Sequence, residues 1–120
     1  MPTKPWREVW EEIKELVKSM RRIETLCQKV PNDVLEVAGN RIIVMSHRPK
    51  RPGIPRPGVL KENDFRYAWN VLTSKRVIVG TDQIEEVRGR RSIILAILAQ
   101  LPYVEGRCER RRVVIELKDP

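Results

Sequence analysis

Hydrophobic positions recur at a strict helical spacing along the first thirty residues. Trp6, Val9, Ile13, Leu16, Met20, Ile23, Cys27 and Val30 are separated by 3, 4, 3, 4, 3, 4 and 3 positions. This a/d seam predicts a long amphipathic helix over about residues 5–29. Trp10 and Val17 widen its apolar stripe. Pro5 suits a first helical turn, and Glu8, Glu11 and Glu12 suit the positive end of the helix dipole. Pro31 disfavours helix at the residue before it. Such a helix either lies along its own domain or pairs with a second copy of the chain. Trp6, Val9, Trp10, Ile13, Leu16, Met20 and Ile23 are therefore candidate interface residues. Two tryptophans at the start of the helix favour some partner surface.

The period then changes. Residues 34–37 and 41–46 are rich in β-branched side chains and flank Ala38-Gly39-Asn40, which predicts a β-hairpin. Residues 48–58, RPKRPGIPRPG, hold four prolines and two glycines and read as a loop. Asn63 or Asp64 can cap a helix to about Leu72, with Phe65, Ala68, Trp69 and Leu72 on one face. A short strand follows at 77–79. Thr81 caps a short helix over 82–87 that Gly89 ends. A third helix is expected over 91–101, stopped by Pro102. A strand near 103–104, a turn at Glu105-Gly106 and a last strand over 110–117 complete the chain. The expected fold class is α+β in three parts: the long helix in 1–30, the hairpin and loop in 31–62, and a helix-strand-helix-helix-hairpin unit in 63–120.

Charge adds the functional expectation. Charged residues make up 33% of the 120 residues, with 24 basic against 16 acidic and a net charge of +8. The excess gathers around residues 48–61 and 88–112. Basic surfaces of this kind attract phosphate polymers or anionic membranes. Arg48, Lys50, Arg51 and Arg56 lie in the proline loop, a solvated connector or an arm that rests on phosphate. Arg88, Arg90 and Arg91, followed by Ser92, open the third helix. Cations there oppose the helix dipole, whereas a bound phosphate gains from both the backbone N–H groups and the arginines. Arg107, Arg110, Arg111 and Arg112 crowd the C-terminal hairpin and repel one another without an anionic partner.

The order from residue 63 onward resembles the winged-helix form of the helix-turn-helix. The stretches that carry the resemblance are NDFRYAWNVL, RVIVG, TDQIEEVRG, RRSIILAILAQL and YVEGRCERRRVVIEL. It rests on element order, capping and charge placement. It implies a third helix offered to the major groove and a hairpin touching the backbone beside it. One departure stands out. Residues 93–99 and Leu101 are apolar, so the third helix is expected to be buried. The arginine-rich ends would then contact phosphate with little direct base readout.

Other chemistry is thinly represented. No phosphate-binding loop, dinucleotide-binding fingerprint, C-x-x-C, H-E-x-x-H or G-x-S-x-G occurs, so neither an enzyme nor a cofactor is expected. His47 stands alone and suits a strand-end role. Cys27 and Cys108 allow a single disulfide, but reduced thiols of a cytoplasmic protein are the expectation. The composition, rich in Arg, Glu, Ile and Val, fits a thermophile. Residues 1–30 are charged throughout, unlike a signal peptide, and the apolar run 93–99 is too short to span a bilayer. The expected function is nucleic-acid binding, DNA over RNA, by a regulator or accessory factor. About six phosphate contacts would give a log–log salt slope near −5. The rival expectation is a protein-docking subunit that uses the heptad helix and the winged unit.

Overall fold

A computed structural model describes residues 4–47, 57–87 and 89–118. Helix α1 spans Trp6–Met20. Four antiparallel strands follow: β1 (Arg22–Glu24), β2 (Pro31–Val37), β3 (Arg41–Ser46) and β4 (Pro57–Lys61), paired in that order. Helix α2 covers Glu62–Lys75, β5 covers Val77–Val79, and a single 3-10 turn covers Thr81–Ile84. Helix α3 (Arg91–Leu98) precedes β6 (Val104–Glu109) and β7 (Arg112–Leu117). The second sheet is antiparallel with the order β5-β7-β6. The architecture is α+β, as the periodicities predict.

The long helix is shorter than its seam suggests. It ends where Arg21 turns left-handed at φ 62°, with its N–H on the Val17 carbonyl. Ile23 continues the apolar spacing as a strand residue, buried opposite Asn32. Strand pairing overrides the helical period there. A three-residue step from Met20 is equally compatible with an extended chain that buries its middle residue. Cys27 and Val30 then belong to a loop closed by the Val30 N–H on the Thr25 hydroxyl, at 3.0 Å.

The seam faces this chain's own core. Val9, Trp10, Ile13 and Val17 are buried, Trp6 and Leu16 are half-buried, and Met20 is 37% exposed. The two tryptophans reach across the chain. The Trp6 indole donates to Glu62 Oε2 at 2.9 Å, and the Trp10 indole donates to the Gly39 carbonyl at 2.7 Å. Trp10 also lies 5.4 Å from Phe65, ring to ring.

The hairpin forms around Ala38–Arg41, with the Ala38 N–H on the Arg41 carbonyl. A bulge between Val34 and Glu36 turns Leu35 outward, where it is 53% exposed. Strand β4 lies where Pro57-Gly58 read as loop and 59–62 carry no pattern. Its two inward residues, Gly58 and Leu60, are too few to register as alternation. Helix α2 begins at Glu62 without a side-chain cap, so neither Asn63 nor Asp64 caps it. Its predicted face of Phe65, Ala68, Trp69 and Leu72 is buried.

The third helix stops at Leu98, and Gln100 and Leu101 close one tighter turn onto Ile97 and Leu98. Residues 93–98 are buried without exception. The helix lies under α1, α2, β1 and β7, as its apolar composition predicts. One continuous core joins α1, both sheets, α2 and α3. No helix of the described residues is long and apolar enough to cross a membrane.

A candidate nucleic-acid interface at the last hairpin

The reversal between β6 and β7 falls at Arg110-Arg111, five residues beyond the expected Glu105-Gly106. Glu105 and Gly106 sit inside β6. Gly106 is needed there because a Cβ would overlap the Ala99 methyl and crowd Leu26. With Glu109 opposite Arg112, the loop has two residues, and both have positive φ, 51° at Arg110 and 66° at Arg111. That is the geometry of the turn usually built from Asn-Gly. A side chain with a Cβ in the left-handed region costs roughly 1–2 kcal/mol. Two arginines in a two-residue turn therefore carry strain as well as mutual repulsion.

Arg110, Arg111 and Arg112 are exposed and make no ion pair with any described residue. Arg107 differs. Its guanidinium reaches Glu109 at 2.7 Å, Glu116 at 3.2 Å and Glu105 at 3.9 Å. The hydrogen bonds to Glu109 and Glu116 push its pKa above the ordinary value. Its charge is balanced within the hairpin, which removes it from the set that needs an external anion.

The arginines at α3 also divide. Arg91 donates to the Val87 carbonyl at 2.6 Å and the Glu85 carbonyl at 2.8 Å, and so holds the segment before the helix. Arg90 is left-handed at φ 54° and exposed. Its guanidinium lies against Gly58 of β4, where any Cβ would overlap it. Arg88 and the loop residues Arg48, Lys50, Arg51 and Arg56 lie outside the described residues. The first turn of α3 holds no acid, and no side chain caps it. Its leading N–H groups therefore lack intrahelical acceptors.

A recess of about 510 Å³ brings part of the predicted set together. Ser92, Arg111 and Arg112 line it, with Thr25 and Gln28 from the loop after β1 and Thr81 and Asp82 from the 3-10 turn. The two sides are joined covalently. Cys27 and Cys108 form a disulfide across 81 residues, with Cα atoms 5.1 Å apart. The expectation of reduced thiols is corrected on this point: the β1–β2 connection turns back onto β6 and places the two cysteines side by side. The helical spacing predicts helix over residues 25–28, which hides this side of the recess. The cysteine pair was the one signal that could have located it.

Two charge clusters lie elsewhere. On the four-stranded sheet, Asp33 accepts from Arg22 at 2.7 Å and contacts His47 Nε2 at 2.6 Å. The Arg22 hydrogen bond, with that from His47, holds the Asp33 carboxyl below its ordinary range. His47 is thus a hydrogen-bonded strand-end residue. Between α1 and the C-terminal unit, the Tyr103 hydroxyl donates to Glu12 Oε2 at 2.5 Å and Lys4 pairs with Glu12 at 2.7 Å. Among the described residues, no three His, Cys, Asp or Glu side chains gather as a metal site would require.

No protein-family model, curated protein or solved structure matches this chain.

Proposed function

We propose that the protein binds nucleic acid, DNA before RNA, as a regulator or accessory factor that holds the phosphate backbone. The observation that carries this reading is the Arg110–Arg112 turn. It places three exposed arginines, unpaired among the described residues, on a strained hairpin beside an uncapped helix start. Backbone strain of this kind recurs at functional sites, which supports the reading. Anions relieve the repulsion, and an anion at an uncapped helix start accepts from its leading N–H groups.

Helix α3 does not read bases in this arrangement, because its side chains from Ile93 to Leu98 are buried. Binding is therefore backbone-directed, with sequence preference arising from shape rather than base edges. The residues free to act are Arg90, Arg110, Arg111 and Arg112. Four contacts would give a log–log salt slope near −3.6 on duplex DNA. The docking-subunit reading draws less support, since the heptad seam and α3 are both packed into this chain's own core.

The test is fluorescence anisotropy with labelled duplex DNA at increasing salt. The wild type is compared with Arg111→Gln/Arg112→Gln and with Arg107→Gln. Binding is expected to fall in the double variant and to persist in Arg107→Gln, whose charge is balanced internally. Equal binding by all three, or no binding at all, would reject the assignment.

A further inference from the structure

The recess between the β6–β7 turn and the loop after β1 is larger and more varied than a row of phosphate contacts requires. Its volume, about 510 Å³, lies in the range of pockets that enclose a small organic ligand. The hairpin side carries the cations Arg111 and Arg112, and the start of α3 adds the Ser92 hydroxyl. The remaining lining is hydrogen-bonding but not cationic: Thr25, Gln28, Thr81 and the Asp82 carboxylate. Where the two sides meet lie the Cys27–Cys108 disulfide and Val113, which are apolar and, at the sulfurs, soft and polarizable. Anion-binding, hydrogen-bonding and apolar, polarizable surfaces within one cavity match the phosphate, edge and ring of a nucleotide.

We propose that this recess seats one unpaired nucleotide of a bound nucleic-acid strand. The proposal rests on the nucleic-acid reading above and names what that reading does not, the strand state. The phosphate lies on Arg111 and Arg112, near Ser92. The ring lies toward the disulfide, and the base edge toward Thr81 and Asp82. A carboxylate accepts from amino and imino N–H groups, so the seat favours an edge that offers donors. A base inside a duplex is stacked and paired and cannot enter a concave site without leaving the helix. A single strand, a bulge or a frayed end supplies such a base at lower cost. The burial of α3 fits this assignment, since no helix is offered to the major groove.

The test measures the affinity of the intact, oxidised protein for three labelled DNAs: a fully paired duplex, the same duplex with a single-nucleotide bulge, and one strand alone. The bulged and single-stranded forms are expected to bind about tenfold tighter than the paired duplex. Gln28, exposed at the rim of the recess, gives a second arm. Gln28→Trp sets a bulky side chain across part of the mouth of the recess from a surface position and is expected to bring the bulged-to-paired affinity ratio close to unity. Salt-dependent binding with equal affinity for paired and bulged DNA would overturn the nucleotide seat and leave backbone binding standing. A bulge preference that survives Gln28→Trp would also overturn it. Absence of binding to all three DNAs would remove both readings.

Discussion

At the scale of single residues, the left-handed positions are the most informative. Among the described residues, the six non-glycine residues with positive φ are all cationic: Arg21, Lys29, Arg76, Arg90, Arg110 and Arg111. Arg21 and Arg76 terminate α1 and α2, where a cation suits the negative end of the helix dipole. That local compensation is missing at Arg110 and Arg111, which lie in a hairpin turn. Arg110→Asn/Arg111→Gly installs the pair that this turn favours. It should stabilise the fold by about 1–2 kcal/mol and raise the Tm by several degrees, while weakening binding to DNA. Thermal denaturation beside anisotropy checks both halves. A variant that is less stable, or equally stable and fully active, would show that the turn is not a strained functional feature.

The Tyr103–Glu12 contact is the second residue-scale feature. Burial alone would raise the Glu12 pKa, but hydrogen bonds from Lys4 and Tyr103 outweigh it and hold the carboxyl below its ordinary value. The folded chain therefore binds that proton less readily than the unfolded chain. Its stabilisation is complete above about pH 5 and is lost as pH falls through the folded value. Asp33, depressed by Arg22 and then His47, acts in the same direction. Tyr103 is shifted the other way, upward, by burial and by the bond to Glu12. Its contribution is lost above about pH 10, where the unfolded chain ionises first. Tyr103→Phe should lower stability by about 1–2 kcal/mol near neutral pH. It should also flatten the loss of stability on the alkaline side, as measured by denaturant unfolding across pH.

At the scale of elements, what the sequence made legible depended on how each element is stabilised. Helix α2 and its buried face, the β2–β3 hairpin, β5 and the burial of α3 all follow from local period, turn residues or composition. They were readable because the same residues that set the local structure also face the core. Three features were not. Helix α1 ends at Met20 because strand pairing captures Arg22–Glu24, a tertiary event without a local signal. Strand β4 is visible only once β3 offers an edge to pair with. The last turn lies at Arg110-Arg111 because Gly106 is required for close packing inside β6; a glycine read as a turn signal was a packing signal. The candidate site inherits the same division. Arg111, Arg112 and Ser92 were legible as charge placement. The internal balance of Arg107 and the carbonyl contacts of Arg91 depend on partners that charge counting does not locate.

At the scale of the whole molecule, one core and one covalent link hold the two ends of the chain together. Ile23 of β1, Ile94 of α3 and Ile115 of β7 belong to the same buried cluster. The Cys27–Cys108 bridge closes a loop of 81 residues, for which the loss of unfolded-chain entropy stabilises the fold by roughly 4 kcal/mol. A dithiol reductant, or Cys27→Ser/Cys108→Ser, should therefore lower the Tm substantially. It should also weaken DNA binding below that transition, because the bridge sets one side of the recess. Calorimetry and anisotropy with and without reductant measure the two effects; an unchanged Tm would contradict the bridge.

Phosphate-backbone binding by the last hairpin is decided by the salt dependence of DNA affinity in the wild type and in Arg111→Gln/Arg112→Gln. A log–log slope near −3.6 is expected, becoming shallower by about 2 in the variant, with both proteins folded. Identical slopes in the two proteins, or a wild-type slope near zero, would contradict it.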